Sequence, residues 1–336
     1  MRRYAIAMAV FAFTLVAIVS TLLGSANNLG ALFIAAIGTP VSAFLLMRAV
    51  LAPPVGTRPG VGSFLLGATV VPIGVLALGA LVAGVAVAAI DPLRGAVIDL
   101  GDELGVDTNF TDLLFNGWAF FLLVELAVVA PFLEETLKPI GALVVRPRTR
   151  SEALTFGAAA GAGFAVIENI IYASGSFWGT QWLTPISVVR MSGSALHLIG
   201  TALIALAVFE LRRPKEQRLI SLSSAYGLAL GVHAAWNGSI AVAIVMFAGN
   251  ERLGLPGDAL AWGIGLLILL ATFGVALLAA LLAVARAVRN EEPLRRIASM
   301  DSLGQAEQIA AWTLVTTWLL VPVGIAVTVF PDLIAL

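Results

Sequence analysis

The chain has 336 residues, of which 60% are hydrophobic and 12% charged, with a mean hydropathy of +1.01 and a formal net charge of −1. That composition excludes a soluble globular domain and describes an all-α polytopic membrane protein. Cysteine is absent, which removes disulfides, thiolate zinc sites and cysteine nucleophiles, and no basic domain suited to nucleic acid is visible.

Apolar runs long enough to span fall at about 4–24, 29–51, 62–90, 115–145, 151–173, 186–209, 219–247, 258–288 and 308–331. The first follows Arg2 and Arg3 and is too long for a signal-peptide core, so it reads as a transmembrane helix. About nine spans place the termini on opposite sides. The loops agree through the positive-inside rule: of nineteen Lys and Arg residues, all but Arg94, Arg190 and Arg252 fall on one face. The N-terminus is therefore expected to be cytoplasmic and the C-terminus extracytoplasmic. Residues 91–117 are acidic, with a turn expected at Asp91-Pro92 and an amphipathic interfacial helix after it. Residues 289–307 carry both signs and read as a cytoplasmic linker.

The fourth run contains Pro131 to Pro139, PFLEETLKP, with Glu134, Glu135 and Lys138. A charge at the centre of a membrane helix costs about 2.5–3.5 kcal/mol on insertion scales. Three in five positions need partners or a task. The fifth run, TFGAAAGAGFAVIENIIYA, has Gly157 and Gly161 four apart, a face for close helix packing, then Glu168 and Asn169. The sixth holds His197. The seventh holds His233 and Asn237, four apart on one face. These are the chain's two histidines. At about 1.5 Å per residue, Glu134, Glu168, His197 and His233 reach a common depth on four consecutive spans. Short connections favour neighbouring placement.

Two histidines with carboxylates suit a divalent ion, Zn²⁺ being favoured. Glu168, His197 and His233 are the expected metal ligands. Glu134 or Glu135 would take the proton of an attacking water, with Glu134 preferred and Glu135 its orienting partner. Asn237 would donate to a developing oxyanion. Lys138 can pair with either glutamate, and it equally reads as a neutralising charge at the cytoplasmic interface. Serine and aspartyl mechanisms fit less well: Ser192 and Ser194 share one helix with His197, and Asp258 lacks a membrane partner.

Glu134-Glu135-x-x-Lys138, Phe164-x-x-x-Glu168-Asn169, His197, and His233-x-x-x-Asn237 with Trp236 resemble the motifs of PrsW-type intramembrane proteases. That family is similar to the CAAX prenyl protease and bacteriocin-processing superfamily. The resemblance covers roughly residues 118–240. It implies a metal-dependent endopeptidase of a bacterial cytoplasmic membrane that cleaves a membrane-anchored protein, an anti-sigma factor being the best-known family substrate. Glu168 stands where the prenyl protease relatives have histidine, which leaves a metal-free, glutamate-driven hydrolysis open. The expected organisation is a scaffold over 1–117, a catalytic four-helix core over 118–247 with Asn169 and Lys138 in support, and a second scaffold over 248–336. The competing reading is a proton- or metal-coupled transporter, since buried carboxylates and histidines also build ion relays. No repeat symmetry supports it.

Overall fold

The computed structural model describes residues 29–51, 57–103, 117–177, 189–253 and 257–291. The expected spans at 4–24 and 308–331, and the part of the linker beyond 291, lie outside these residues. Among the described residues every regular element is helical, as lipid demands of chains that must satisfy their own backbone. The helices are α1 (Leu29–Leu51), α2 (Thr57–Ala68), α3 (Val70–Glu103), α4 (Gly117–Val124), α5 (Ala130–Leu137), α6 (Ile140–Val144), α7 (Arg150–Phe177), α8 (Ser194–Glu210), α9 (Leu222–Leu253) and α10 (Gly257–Glu291). Six stretches of the described residues are long and apolar enough to cross a membrane: Ile34–Leu51, Pro59–Val82, Arg150–Ser174, Val189–Glu210, Leu222–Val245 and Gly263–Glu291. This is a multi-pass membrane protein.

Two elements depart from expectation. Helix α3 runs through Asp91-Pro92 to Glu103 with no turn there. A proline removes one ladder bond and can bend a helix without ending it. The fourth expected span is not one smooth helix. Between α4 and α5 a π-turn covers Glu125–Val129, closed by the Ala130 N–H donating to the Glu125 carbonyl. Pro131 comes next and has no N–H to continue the α ladder. Such a turn inserts an extra residue and rotates the downstream helix by roughly 100°. The rotation sets the face that α5 shows to the bundle.

The centre is the pair α7 and α8. The Val189–Glu210 stretch is 94% buried and Arg150–Ser174 83%, against 17% for Pro59–Val82. Glycine lets α7 sit this deep. A Cβ on Gly161 would lie 2.2 Å from the His197 carbonyl oxygen, and one on Gly163 would lie 2.1 Å from that of Phe64. The first contact seats α8 on α7 and the second seats α2 on its other side. At one end of the pair, Arg150 holds Glu210 through Nε at 2.6 Å and Nη2 at 3.2 Å, and also donates to the Gln217 carbonyl at 2.7 Å.

Candidate active site

Helix α5 carries Glu134 and Glu135, and Lys138 closes it as the C-terminal cap residue. All three are buried, Lys138 completely. Its ammonium lies 2.7 Å from Glu134 Oε2, 3.0 Å from Glu135 Oε1 and 2.7 Å from His197 Nδ1. It also sits 4.4 Å above the Phe164 ring centroid. Lys138 is thus buried among the helices and pairs with both glutamates, as its spacing allows. The physical reason is local. The i,i+3 and i,i+4 spacings put the ammonium beside both carboxylates, and burying the three together offsets charges that none could bury alone.

The histidines enter from the opposite wall. His197 on α8 places Nε2 2.8 Å from Glu168 Oε2, a contact too bent to rank as a good hydrogen bond. His233 on α9 places Nδ1 2.8 Å from Glu135 Oε1 and Nε2 3.1 Å from Asn237 Nδ2. The two rings meet edge to face at 5.1 Å. Glu134, Glu135, Lys138, Glu168, His197, His233 and Asn237 therefore form one buried cluster on four helical segments. Asn169 is elsewhere. It donates to the Ala36 carbonyl at 3.1 Å and to Ser194 Oγ at 3.0 Å, tying α7 to α1 and α8.

One member of the cluster is hidden in the sequence. The loop tally puts Arg190 with the outer charges, yet it is only 3% exposed. Its guanidinium pairs with Glu168, donates from Nη1 to Asn237 Oδ1 at 2.9 Å and stacks 4.0 Å from the Tyr172 ring centroid. The signal that could reveal it is spacing: Arg190 precedes His197 by seven residues, two helical turns along one face. Gly193 gives this turn its room. A Cβ there would lie 2.6 Å from the Trp236 indole, next door to Asn237.

A metal can be tested against this arrangement. One atom each from Glu134, His197 and His233 lie within 4.8 Å of one another. Glu134 Oε2 is 3.6 Å from His233 Nε2 and 3.9 Å from His197 Nδ1. Ligands on a tetrahedral zinc stand roughly 3.3–3.6 Å apart, and both Glu134 separations come within a few tenths of an ångström of that range. Glu134 Oε2 is also buried without a hydrogen bond of good geometry. Donor chemistry and spacing fit a small divalent cation. The condition is that Lys138, which now lies against two of the three donor atoms, withdraws. The converging carboxylate is Glu134. Glu168, the ligand expected from sequence, is here engaged by Arg190 and His197.

Comparison with curated proteins and with solved structures returned no match. A family model does match: that of the PrsW family intramembrane metalloproteases, over residues 67–262. Those limits enclose every member of the buried cluster, from α5 to α9. The chain accordingly belongs to the PrsW family of intramembrane metalloproteases, and it is a membrane protease.

Proposed function

We propose that this protease hydrolyses a peptide bond of a membrane-anchored protein, close to its transmembrane segment, at the cluster built by Glu134, His197 and His233. The observation that carries the reading is the convergence of those three side chains, with a carboxylate behind each histidine: Glu135 at His233 Nδ1 and Glu168 at His197 Nε2. Carboxylate–histidine pairs of this kind orient ligating imidazoles. Family membership favours this reading over an ion-coupled transporter.

Glu134, His197 and His233 would hold a divalent ion, Zn²⁺ by donor type. When bound, it would supply Lewis acidity and a more acidic water. The chain supplies the rest. Glu135 fixes the His233 ring. Glu168 fixes His197. Asn237 Nδ2 is a donor beside the cluster that can turn to a developing oxyanion. Lys138 balances the carboxylates. Glu134 faces both histidines, so it is a ligand when a cation is seated and the proton acceptor from water when hydrolysis runs without one.

The substrate class suggested by the family resemblance is a membrane-anchored anti-sigma factor, cleaved in regulatory proteolysis. The same resemblance suggests a bacterial cytoplasmic membrane, and the distribution of basic residues among the loops supports nine spans with the N-terminus inside. The test is proteolysis of a membrane-anchored reporter by the purified full chain in lipid nanodiscs. Glu134→Ala, Glu168→Ala and His233→Ala are compared with wild type, and metal content is measured on each. Loss of cleavage is expected in all three; full activity in all three overturns the site.

A further inference from the structure

Arg190 makes no direct hydrogen bond to either histidine, yet both are reached from it through one intermediate. Its guanidinium can only donate. Asn237 must therefore turn Oδ1 towards it, which it does at 2.9 Å. The amide nitrogen is then forced to the other side, where it lies 3.1 Å from His233 Nε2. An N–H₂ donor there requires Nε2 to accept, so the His233 proton resides on Nδ1 and is donated to Glu135 Oε1 at 2.8 Å. The second arm runs through Glu168, paired with Arg190 at Oε1 and set 2.8 Å from His197 Nε2 at Oε2. On the other side of this ring Nδ1 faces the Lys138 ammonium, another obligate donor, at 2.7 Å and must accept. His197 therefore carries its proton on Nε2, the side on which Arg190 holds Glu168.

We propose that Arg190 is a positioning residue that fixes the tautomers of both histidines, through Asn237 for His233 and through Glu168 for His197. The two accepting nitrogens, His233 Nε2 and His197 Nδ1, which receive Asn237 and Lys138 here, are thereby the ones that lie 3.6 and 3.9 Å from Glu134 Oε2. This deepens the proposed function and rests on it for the identity of the site. The two nitrogens are preset as acceptors before a cation or a polarised water arrives, so that only their present donors, Lys138 and the Asn237 amide, have to move. The outer pairing is placed to matter, because partners one step behind a ligand typically change metal affinity by about 10–100-fold. Burial of the group also fits the role. Tyr172 stacks over the guanidinium and Trp236 closes over Gly193, so water does not compete for Asn237.

The chain has two histidines, so ¹⁵N-histidine labelling of the full-length protein in nanodiscs yields two imidazoles. His197→Gln and His233→Gln assign them. The expected wild-type spectrum shows two neutral rings of opposite tautomer, His197 protonated at Nε2 and His233 at Nδ1, with chelator and without. Arg190→Met should abolish the single-tautomer signature of His233 and weaken Zn²⁺ affinity by about tenfold or more. Asn237→Asp keeps an acceptor for Arg190 but removes the donor; with a carboxylate then at each ring nitrogen, His233 should lose its neutral Nδ1–H signature and become the doubly protonated imidazolium. This variant serves where Arg190→Met does not fold, as judged by its thermal melt. Two rings of the same tautomer in wild type, or an unchanged His233 signature in both variants, overturns the proposal. The spectrum requires no catalysis. A wild-type protein with these tautomers that cuts no reporter sinks the protease site and leaves this assignment standing, and the converse result does the reverse.

Discussion

Lys138 Nζ lies 2.7 Å from His197 Nδ1, inside the group of donors that would hold a metal ion. An ammonium and a divalent cation cannot share that place. Two unit charges 4 Å apart repel by about 4 kcal/mol at the effective dielectric of a protein, and a divalent ion doubles this. Lys138 is therefore both the internal counter-ion of the unloaded site and a competitor of the ion. Lys138→Met should bind Zn²⁺ more tightly, by roughly tenfold for each 1.4 kcal/mol of competition removed. The same variant should be less stable without metal, by about 3–5 kcal/mol, because two buried carboxylates lose their cation. Chelator competition and thermal melts with and without Zn²⁺ measure the two effects. Unchanged affinity would show that Lys138 moves aside at no cost.

The Arg150–Glu210 pair gives a contrasting expectation, since it lies at the end of α7 and α8 and touches no member of the cluster. Both side chains are nearly or fully buried, and the contact is bidentate with a third bond to the Gln217 carbonyl. Removing Glu210 takes the bidentate carboxylate from a buried guanidinium, whose other carboxylate neighbour, Glu291, is exposed and 3.9 Å away. Glu210→Ala should destabilise the protein by about 3–5 kcal/mol. Below the melting transition, reporter cleavage should keep its wild-type KM and kcat. A large drop in kcat at a temperature where the variant is folded would tie this pair to the chemistry.

Much of this architecture is written in local sequence. The apolar runs give the helices, and Gly157 and Gly161 give the packed face of α7, because small side chains four apart leave few other arrangements. Depth counting on four spans also anticipates that Glu134, Glu168, His197 and His233 gather in one place. Less legible is what depends on rotation about a helix axis. The π-turn before Pro131 changes the face of α5, and residue counting assumes a regular 3.6. The partners that Lys138 meets across the bundle, His197 and Phe164, depend on that face and cannot be counted from spacing along α5. Arg190 is hidden for a related reason. Charge tallies by loop assign a basic residue to water, whereas Gly193 and Trp236 turn this one inward.

The seating of α8 on α7 should be testable with a single methyl group. At Gly161 the added Cβ would meet the His197 backbone at 2.2 Å, with no flexible side chain to yield. Gly161→Ala must push the helices apart and carry the His197 ring with them. A cost of about 1–3 kcal/mol in stability is expected, from overpacking, together with reduced cleavage. Gly231 on α9 has nothing within 4 Å of its would-be Cβ and supplies the control. Gly231→Ala should be neutral or slightly stabilising, as alanine is the better helix former. Equal melting temperatures and equal activities for the two variants would show that the contact at Gly161 does not set the site.

The choice between Glu134 and Glu168 as the third donor decides how the site is drawn, and two conservative variants separate them. Glutamine keeps the shape of either side chain and removes its charge. With Glu134 in the donor set, Glu134→Gln should lose stoichiometric metal and lower kcat by about 10²–10⁴-fold, the range for removing a principal acid–base or ligating carboxylate. Glu168→Gln should retain metal at weaker affinity, with a penalty of about 10–100-fold, because it acts by orienting His197. Metal analysis by mass spectrometry, paired with kcat and KM on the membrane-anchored reporter, reads both quantities on the same preparations. The reverse ranking, with metal lost in Glu168→Gln and kept in Glu134→Gln, would return the ligand set to Glu168, His197 and His233. Glu134 would then be the proton acceptor throughout, facing both imidazoles without binding the ion. Loss of activity in Glu134→Gln with no metal in any preparation, wild type included, would establish hydrolysis driven by the glutamate alone.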